Sequence, residues 1–368
     1  MEVPGELISV SRYYGSNPDY VIAGGGNTSY KQGDRLWVKA SGVPLAGIDE
    51  SGFVCLSREK LGKISSATYS SDPSKREKEV RKDLESATLG DKCLRPSVET
   101  SLHNLVSFPL VIHTHPAVVN ALLCSAKAEN ETRNIFGDDP LFIEYTDPGY
   151  SLFKKTEKEM AAYIKLYGKE PSIILLQNHG MIICGNNISE VKSKSKKLVN
   201  DIQSCFSKPL PSLRQLPSTG NTAAMIKEIN EYLEKYDLFS VFDNNELTAL
   251  FANNRESFTR TAHPFTPDNI VYCRYEYLFS AGGAEKVIND IELFKSRYAY
   301  MPLIIALEKT GLMSVAKNKG SATRSLLVFR DMMKISFLSE NFGGPKFLTP
   351  EQIDFVDNWE AENYRRNV

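Results

Sequence analysis

Five histidines occur in the 368 residues, and three of them fall where a metal ion could be held. His113 and His115 close an apolar strand candidate, Leu110 to His115, that is bounded by Pro109 and Pro116. Side chains at i and i+2 of a strand share a face, so this pair can close on one ion. His179 lies in the turn Asn178-His179-Gly180 between two apolar runs, Ser172 to Gln177 and Met181 to Gly185. Both runs read as strands buried on two faces. Imidazole suits zinc, and a catalytic zinc takes three protein ligands while leaving one position for water or substrate. Spacing alone leaves a second reading open, in which the three are hydrogen-bonded structural histidines at strand ends.

A carboxylate is needed beside such a site if protons are to move. Glu99 opens a helix candidate spanning Ser97 to Val106, with Ser97 as its N-cap, and a helix N-terminus stabilises an acid there. Glu99 is therefore either a helix-capping acid or, if the next strand folds back beside its helix, a ligand or general base near His113 and His115. His103, one turn on, shares its face and reads as structural. Gly24-Gly25-Gly26-Asn27-Thr28-Ser29 offers backbone N–H groups and short hydroxyls to an anion, and Ser41-Gly42 is a second loop of that kind. Neither a P-loop nor a dinucleotide fingerprint is present, because Ser29 stands where the third glycine belongs. The chain has no Gly-x-Ser-x-Gly elbow, and no cysteine has an adjacent histidine.

The elements that must position these groups follow from periodicity and breakers. Residues 20 to 57 read as short strands and turns, with Leu36 to Lys39 alternating. A charged helix with a solvated face spans Ser74 to Ala87, and another follows Pro116 over Ala117 to Cys124. Residues 126 to 150 read as a long irregular loop, and Lys154 to Leu166 as a helix stopped by Gly168. A helix from Ser189 to Phe206 carries scattered lysines. Pro, Ser and Gly concentrate at 207 to 224, which marks a domain boundary. Beyond it, strand candidates at Asn269 to Phe279 and Met301 to Leu307 and helices near 321 to 340 and 350 to 364 suggest a smaller α/β domain. No internal repeat appears.

Composition excludes several classes. Lys+Arg 44 against Asp+Glu 45 gives a net charge of -1, without the basic excess that nucleic acid or an anionic membrane selects. A 42% hydrophobic content belongs to a folding chain, and a chain of this length buries roughly 75% of its unfolded surface without disulfides. The six cysteines, Cys55, Cys93, Cys124, Cys184, Cys205 and Cys273, show no C-x-x-C pair and read as free thiols. No apolar run approaches a membrane span and the start lacks signal-peptide order, so a cytoplasmic protein is expected.

In order, GGGNTS at 24 to 29, VKASG at 38 to 42, RPSVETSLH at 95 to 103, VIHTHPAVVNAL at 111 to 122 and LLQNHGMIICG at 175 to 185 resemble the class II aldolase family. The likeness is strongest to the zinc-dependent aldolase region of bifunctional rhamnulose-1-phosphate aldolase/alcohol dehydrogenases. It extends through TPDNIVY at 266 to 272 and Pro302 to Gly311 to WEAENYRR at 359 to 366.

The resemblance implies a three-layer α/β/α sandwich around a mostly antiparallel sheet over residues 1 to 210, a C-terminal α/β domain over 225 to 368, and a homotetramer with the active site at a subunit interface. It implies one zinc per subunit on His113, His115 and His179, with Glu99 as acid/base and additional ligand. Asn27, Thr28, Ser41, Gly42 and Ser97 would hold the substrate phosphate. The implied reaction is cleavage of a rhamnulose- or fuculose-type ketose 1-phosphate to dihydroxyacetone phosphate and an aldehyde such as lactaldehyde. No nucleic acid or membrane partner is expected.

Two departures stand out. Where simpler family members carry Ser-Ser-Glu, this chain has Ser97-Val98-Glu99, which opens the way to a non-phosphorylated sugar or sugar acid. The chain also stops where bifunctional relatives continue into a dehydrogenase, so hydride transfer is not expected. Tyr145 and Tyr150 are candidates for the proton donor to the aldehyde, and His263, Arg274 and Lys317 for reach from the C-terminal domain. Alternative functions are a pentulose-phosphate 4-epimerase and an adducin-like protein-binding module, the latter expected to lack the metal histidines.

Overall fold

The computed structural model describes residues 2–90 and 94–361, so Cys93 and the end of the WEAENYRR motif lie outside the described residues. Seven strands form the first sheet in the order β3-β2-β1-β4-β7-β6-β5. They are β1 (Asn27–Gln32), β2 (Arg35–Lys39), β3 (Phe53–Ser57), β4 (Leu110–Thr114), β5 (Leu141–Ile143), β6 (Ile173–Leu176) and β7 (Gly180–Gly185). Neighbours are antiparallel except β5 with β6, which are parallel, so the sheet is mixed.

Both faces of the sheet are covered, which is why its central strands read as unbroken apolar runs. Leu110, Ile112, Met181 and Ile183 pack on one side with Leu7, Val10 and Tyr14 of the helix Gly5–Gly15 and with Val191 and Leu198 of the helix Ile188–Gln203. Val111, Ile182 and Cys184 point the other way, onto Leu102 of the helix Thr100–Leu105 and Leu152, Met160 and Tyr163 of the helix Tyr150–Tyr167. The outer strands β2 and β3 rest on Leu61, Ile64, Val80 and Leu84.

Several sequence expectations need correction. Residues 126 to 150 are not a continuous loop. They hold the helix Ala128–Phe136 and the three-residue β5, each too short to show as a periodic pattern. Ser97 does not cap its helix: Glu99 is the N-cap residue of Thr100–Leu105, and the Ser97 carbonyl instead accepts from the Thr100 backbone N–H at 3.1 Å. Residues 269 to 273 are helical, within Pro267–Cys273, because Pro267 begins the helix and Asn269 Oδ1 accepts from the Thr266 backbone N–H at 3.0 Å.

The largest correction concerns repetition. A second sheet has the order β8-β11-β10-β9, built from β8 (Phe239–Asp243), β9 (Leu278–Ser280), β10 (Ile304–Leu307) and β11 (Gly311–Ala316). This reproduces β4-β7-β6-β5, including the parallel outer pair. Details coincide. Asn178 and Lys309 turn the β6–β7 and β10–β11 corners at φ 53° and 54°. Gln177 N–H donates to Ile143 O and Glu308 N–H to Ser280 O, each at 2.9 Å. Asn178 N–H donates to Leu123 O, and Lys309 N–H to Ala252 O. Asn187 and Asn318 each cap the following helix. The half-sheet is thus present twice, and in its central hairpin Ile173, Ile174, Leu176, Gly180 and Asn187 recur as Ile304, Ile305, Leu307, Gly311 and Asn318.

The two units share a core. Helix Lys319–Ser339 of the second packs against helix Ala117–Leu123, which directly follows His115. Ala117 and Cys124 lie in one apolar cluster with Phe251, Phe265, Phe329 and Met332. No helix among the described residues is long and apolar enough to cross a membrane.

Candidate metal centre

The antiparallel pairing of β1 with β4 sets Asn27 opposite His113, and β4 with β7 sets His113 opposite Ile182. His113 thus faces the layer that contains the helix Thr100–Leu105, with Glu99 at its start. The His113 Nδ1–H donates to Met181 O at 3.0 Å, which turns Nε2 toward the site. His115 comes just past the end of β4. Its Nε2 lies 2.9 Å from His113 Nε2, and its Nδ1 lies 2.7 Å from Asp268 Oδ2. His179 is brought over by the left-handed corner at Asn178, and the His179 carbonyl accepts from Asn120 Nδ2 at 3.2 Å. Gly180 must be small, since a Cβ there would sit 2.5 Å from His115 Cδ2 and 2.6 Å from Thr114 O.

One ligand nitrogen from each of His113, His115 and His179 falls within 4.8 Å of the others. Glu99 Oε1 lies 3.4 Å from both His113 Nε2 and His179 Nε2. Its other oxygen accepts from Asn27 Nδ2 at 2.5 Å. Glu99 Oε1 is buried with no hydrogen-bond partner. A buried carboxylate oxygen without a donor is costly, as are two imidazole nitrogens 2.9 Å apart that are both bare when His113 Nδ1–H donates to Met181 O and His115 Nδ1–H to Asp268. A divalent cation on these nitrogens and this oxygen would satisfy all of them, so the residues fit the group the chemistry calls for.

The electrostatics favour the same occupant. Burial pushes the His179 imidazole down to about 3, against the pull of Glu99, and lowers His113 likewise, so both are neutral at pH 7, the form that binds metal. Burial raises the Glu99 carboxyl, but at the acid pH where it titrates the protonated imidazoles of His113, His179 and His115 outweigh that push and hold the group below the ordinary carboxylate range, so Glu99 is ionised at pH 7. His103 is fully buried and bonded through Nδ1 to Ser29 Oγ at 2.8 Å, which makes it structural.

A small cavity of about 50 Å³ opens on the site, lined by Asn27, Ser41, Gly42, Ser97, Glu99, His115 and His179, among others. Thr28 is elsewhere: it alternates to the opposite face of β1, where its hydroxyl pairs with Ser11 Oγ at 2.6 Å. Tyr145 and Tyr150 do not line the cavity. The Tyr145 hydroxyl points to Asp147, and the Tyr150 ring packs against Tyr69. His263 is an exposed ring against Phe347, Arg274 pairs with Asp357, and Lys317 is exposed. Instead, the second unit contributes Pro267 and Asp268. Lys39 also lines the cavity, donating to Val43 O at 2.7 Å. Both residues stand inside motifs already conspicuous in the sequence, VKASG and TPDNIVY, but nothing in their spacing assigns them a role. The triple glycine matters for packing: a Cβ at Gly25 would lie 2.8 Å from Asp268 Oδ2, and one at Gly26, with φ +67°, 2.7 Å from His113 O.

The profile of the family described as Class II Aldolase and Adducin N-terminal domain matches residues 5–200, more than half of the chain and all of the metal centre but Asp268. The chain belongs to that family. Among curated proteins this class II aldolase family member is 20% identical over 408 residues to the uncharacterized oxidoreductase YuxG of Bacillus subtilis (strain 168). That match covers 98% of this chain and 58% of the relative's length. Among solved structures, the N-terminal class II aldolase domain of a conserved Thermoplasma acidophilum protein aligns at 24% identity and TM-score 0.47, covering 55% of this chain and 96% of that one. An L-fuculose 1-phosphate aldolase aligns at 16% identity and TM-score 0.38, covering 56% and 91%.

Proposed function

We propose that the chain is a zinc-dependent lyase of one ion per subunit that cleaves a ketose 1-phosphate of the rhamnulose or fuculose type to dihydroxyacetone phosphate and an aldehyde such as lactaldehyde. The observation that carries this reading is Glu99 Oε1, buried without a donor and 3.4 Å from two of three converging histidine nitrogens. Bound zinc would supply Lewis acidity to the ketose oxygens as negative charge develops on them. The chain's own groups do the rest. Glu99 takes the proton of the C4 hydroxyl as the C3–C4 bond breaks, and returns a proton to C3 of the resulting enediolate. Asn27 Nδ2 holds Glu99 Oε2 and so keeps Oε1 directed into the site. Asn27, Ser41, Gly42 and Ser97 present polar atoms to the substrate's anionic end, and Lys39 adds a cation to that wall.

A second reading, an aldolase of a non-phosphorylated sugar or sugar acid, is favoured by Val98, which lines the cavity with methyl groups between Ser97 and Glu99. Ketose 1-phosphates and free sugar acids assayed for dihydroxyacetone phosphate or pyruvate release separate the two. Activity that survives complete removal of divalent metal defeats both. A homotetramer is the expected assembly and the cytoplasm the expected compartment. The cysteines among the described residues are free, as a reducing compartment keeps them.

A further inference from the structure

We propose that Asp268, brought from the second unit, is a positioning residue of the metal centre: its carboxylate holds His115 Nδ1–H so that His115 Nε2 alone faces the ion. The proposal rests on the metal reading above. His113 and His115 are held differently. His113 lies within β4 and its Nδ1 is fixed by the Met181 carbonyl of the adjacent strand. His115 lies beyond the last paired residue of β4, before Pro116, and has no strand neighbour to orient its ring. Asp268 Oδ2, at 2.7 Å, supplies that hold, with the two side chains 15% and 13% exposed. A charged acceptor behind a ligating imidazole fixes its tautomer and raises its basicity.

Asp268 is itself held firmly. It occupies the first turn of helix Pro267–Cys273. The start of that helix is locked by Asn269 Oδ1, which accepts from the backbone N–H of Phe265 and Thr266, each at 3.0 Å. Gly25 leaves the space the carboxylate fills. The same segment holds the third histidine's turn, because Asn178 Nδ2 donates to Phe265 O at 3.0 Å and to Lys346 O at 2.8 Å. The repeat explains why the second unit serves the first rather than itself. At the positions matching His113, His115 and His179 in the shared topology stand Phe242, Asn244 and Thr310, which cannot form such a centre.

The test uses the full chain, stripped of metal by chelation and titrated with Zn²⁺ against a chromophoric chelator, then loaded with Co²⁺ for its visible absorption spectrum. Asp268→Ala is expected to bind Zn²⁺ about 10- to 100-fold more weakly than the native chain, with an altered Co²⁺ spectrum. Asp268→Asn, which keeps the size and one acceptor but not the charge, should fall between. The unfolding midpoints of the metal-free variants should stay close to the native one, a result that loss of a merely structural contact would not give. Should the alanine variant fail to fold, the asparagine variant decides. Affinities within twofold of native and an unchanged Co²⁺ spectrum overturn the positioning role while leaving the metal reading intact. A native chain that binds no stoichiometric divalent ion overturns the metal reading and the proposal with it.

Discussion

At the scale of single residues, the site is arranged around one carboxylate. Glu99→Gln removes the carboxylate proposed to move protons but keeps its volume, and the three histidines remain. Metal content by elemental analysis should be unchanged, while kcat falls about 10²- to 10⁴-fold. A second buried ionisable group lies beneath the site. Lys31, 5% exposed on β1, donates to Phe108 O at 2.9 Å, and burial pushes its ammonium down to about 7. The sign follows from proton counts. Between pH 7 and the ordinary lysine range the unfolded chain holds a proton that the folded chain has released, so stability from this group rises with pH over that window. Below pH 7 both states are charged and the full burial penalty applies. Lys31→Met removes the penalty, on the order of 4 kcal/mol at pH 7, against about 1 kcal/mol for the lost hydrogen bond. In urea denaturation of metal-free protein, the variant's stability relative to native should fall as pH rises from 7 to 10. An advantage that stays constant or grows with pH would contradict this.

At the scale of elements, the repeated half-sheet shows how one topology carries two chemistries. In the first copy His113 and His115 flank the last residue of β4, Thr114, whereas at that matching place the second copy ends β8 in Asp243, which is 3% exposed. Arg330 of helix Lys319–Ser339 pairs with both Asp243 oxygens, at 2.9 and 3.2 Å, and Asn245 Nδ2 adds a third bond at 2.8 Å. Removing one partner of a buried pair leaves an uncompensated charge, so Arg330→Met should cost about 3–5 kcal/mol in chemical denaturation. Arg330→Met combined with Asp243→Asn should recover a large part of that loss. The glycine loop is equally specific in its demands. Gly26→Ala places a side chain at φ +67° and 2.7 Å from the His113 carbonyl, so β1 and β4 must shift apart. Weakened Zn²⁺ binding together with a lowered unfolding midpoint is expected.

At the scale of the whole molecule, a shared core predicts that the two units unfold together. Phe265, Phe329 and Met332 share one cluster with Ala117 and Cys124, and Asn178 ties the His179 turn to two carbonyls of the second unit. A single thermal transition by calorimetry is therefore expected, and Zn²⁺ at about 100 times its dissociation constant should raise the whole transition by the equivalent of about 2.7 kcal/mol. Two transitions, with only the first moved by zinc, would show that the units are independent.

Much of the metal centre was legible in the chain. His113, His115 and His179 were identifiable because strand periodicity and a glycine-marked turn fix where side chains point without reference to distant sequence. Asn27, Glu99, Ser41, Gly42 and Ser97 came with the motifs around them, and the apolar runs of β6 and β7 announced strands covered on both faces. Thr28 shows the limit: one step along β1 moves a side chain to the other face, and a motif does not say which face the site takes. The half-sheet repeat is faint in sequence, confined to the β6–β7 and β10–β11 hairpins, because backbone hydrogen bonds and corner dihedrals carry the rest of it and tolerate almost any apolar residue. Asp268 was invisible for another reason. In sequence it is an acid in the first turn of a helix, and only the packing of Phe265 to Asn269 against Asn178 and the glycine loop brings it 2.7 Å from His115, 153 positions away in the chain. Local chemistry marks the candidate ligands, and long-range packing decides what holds them.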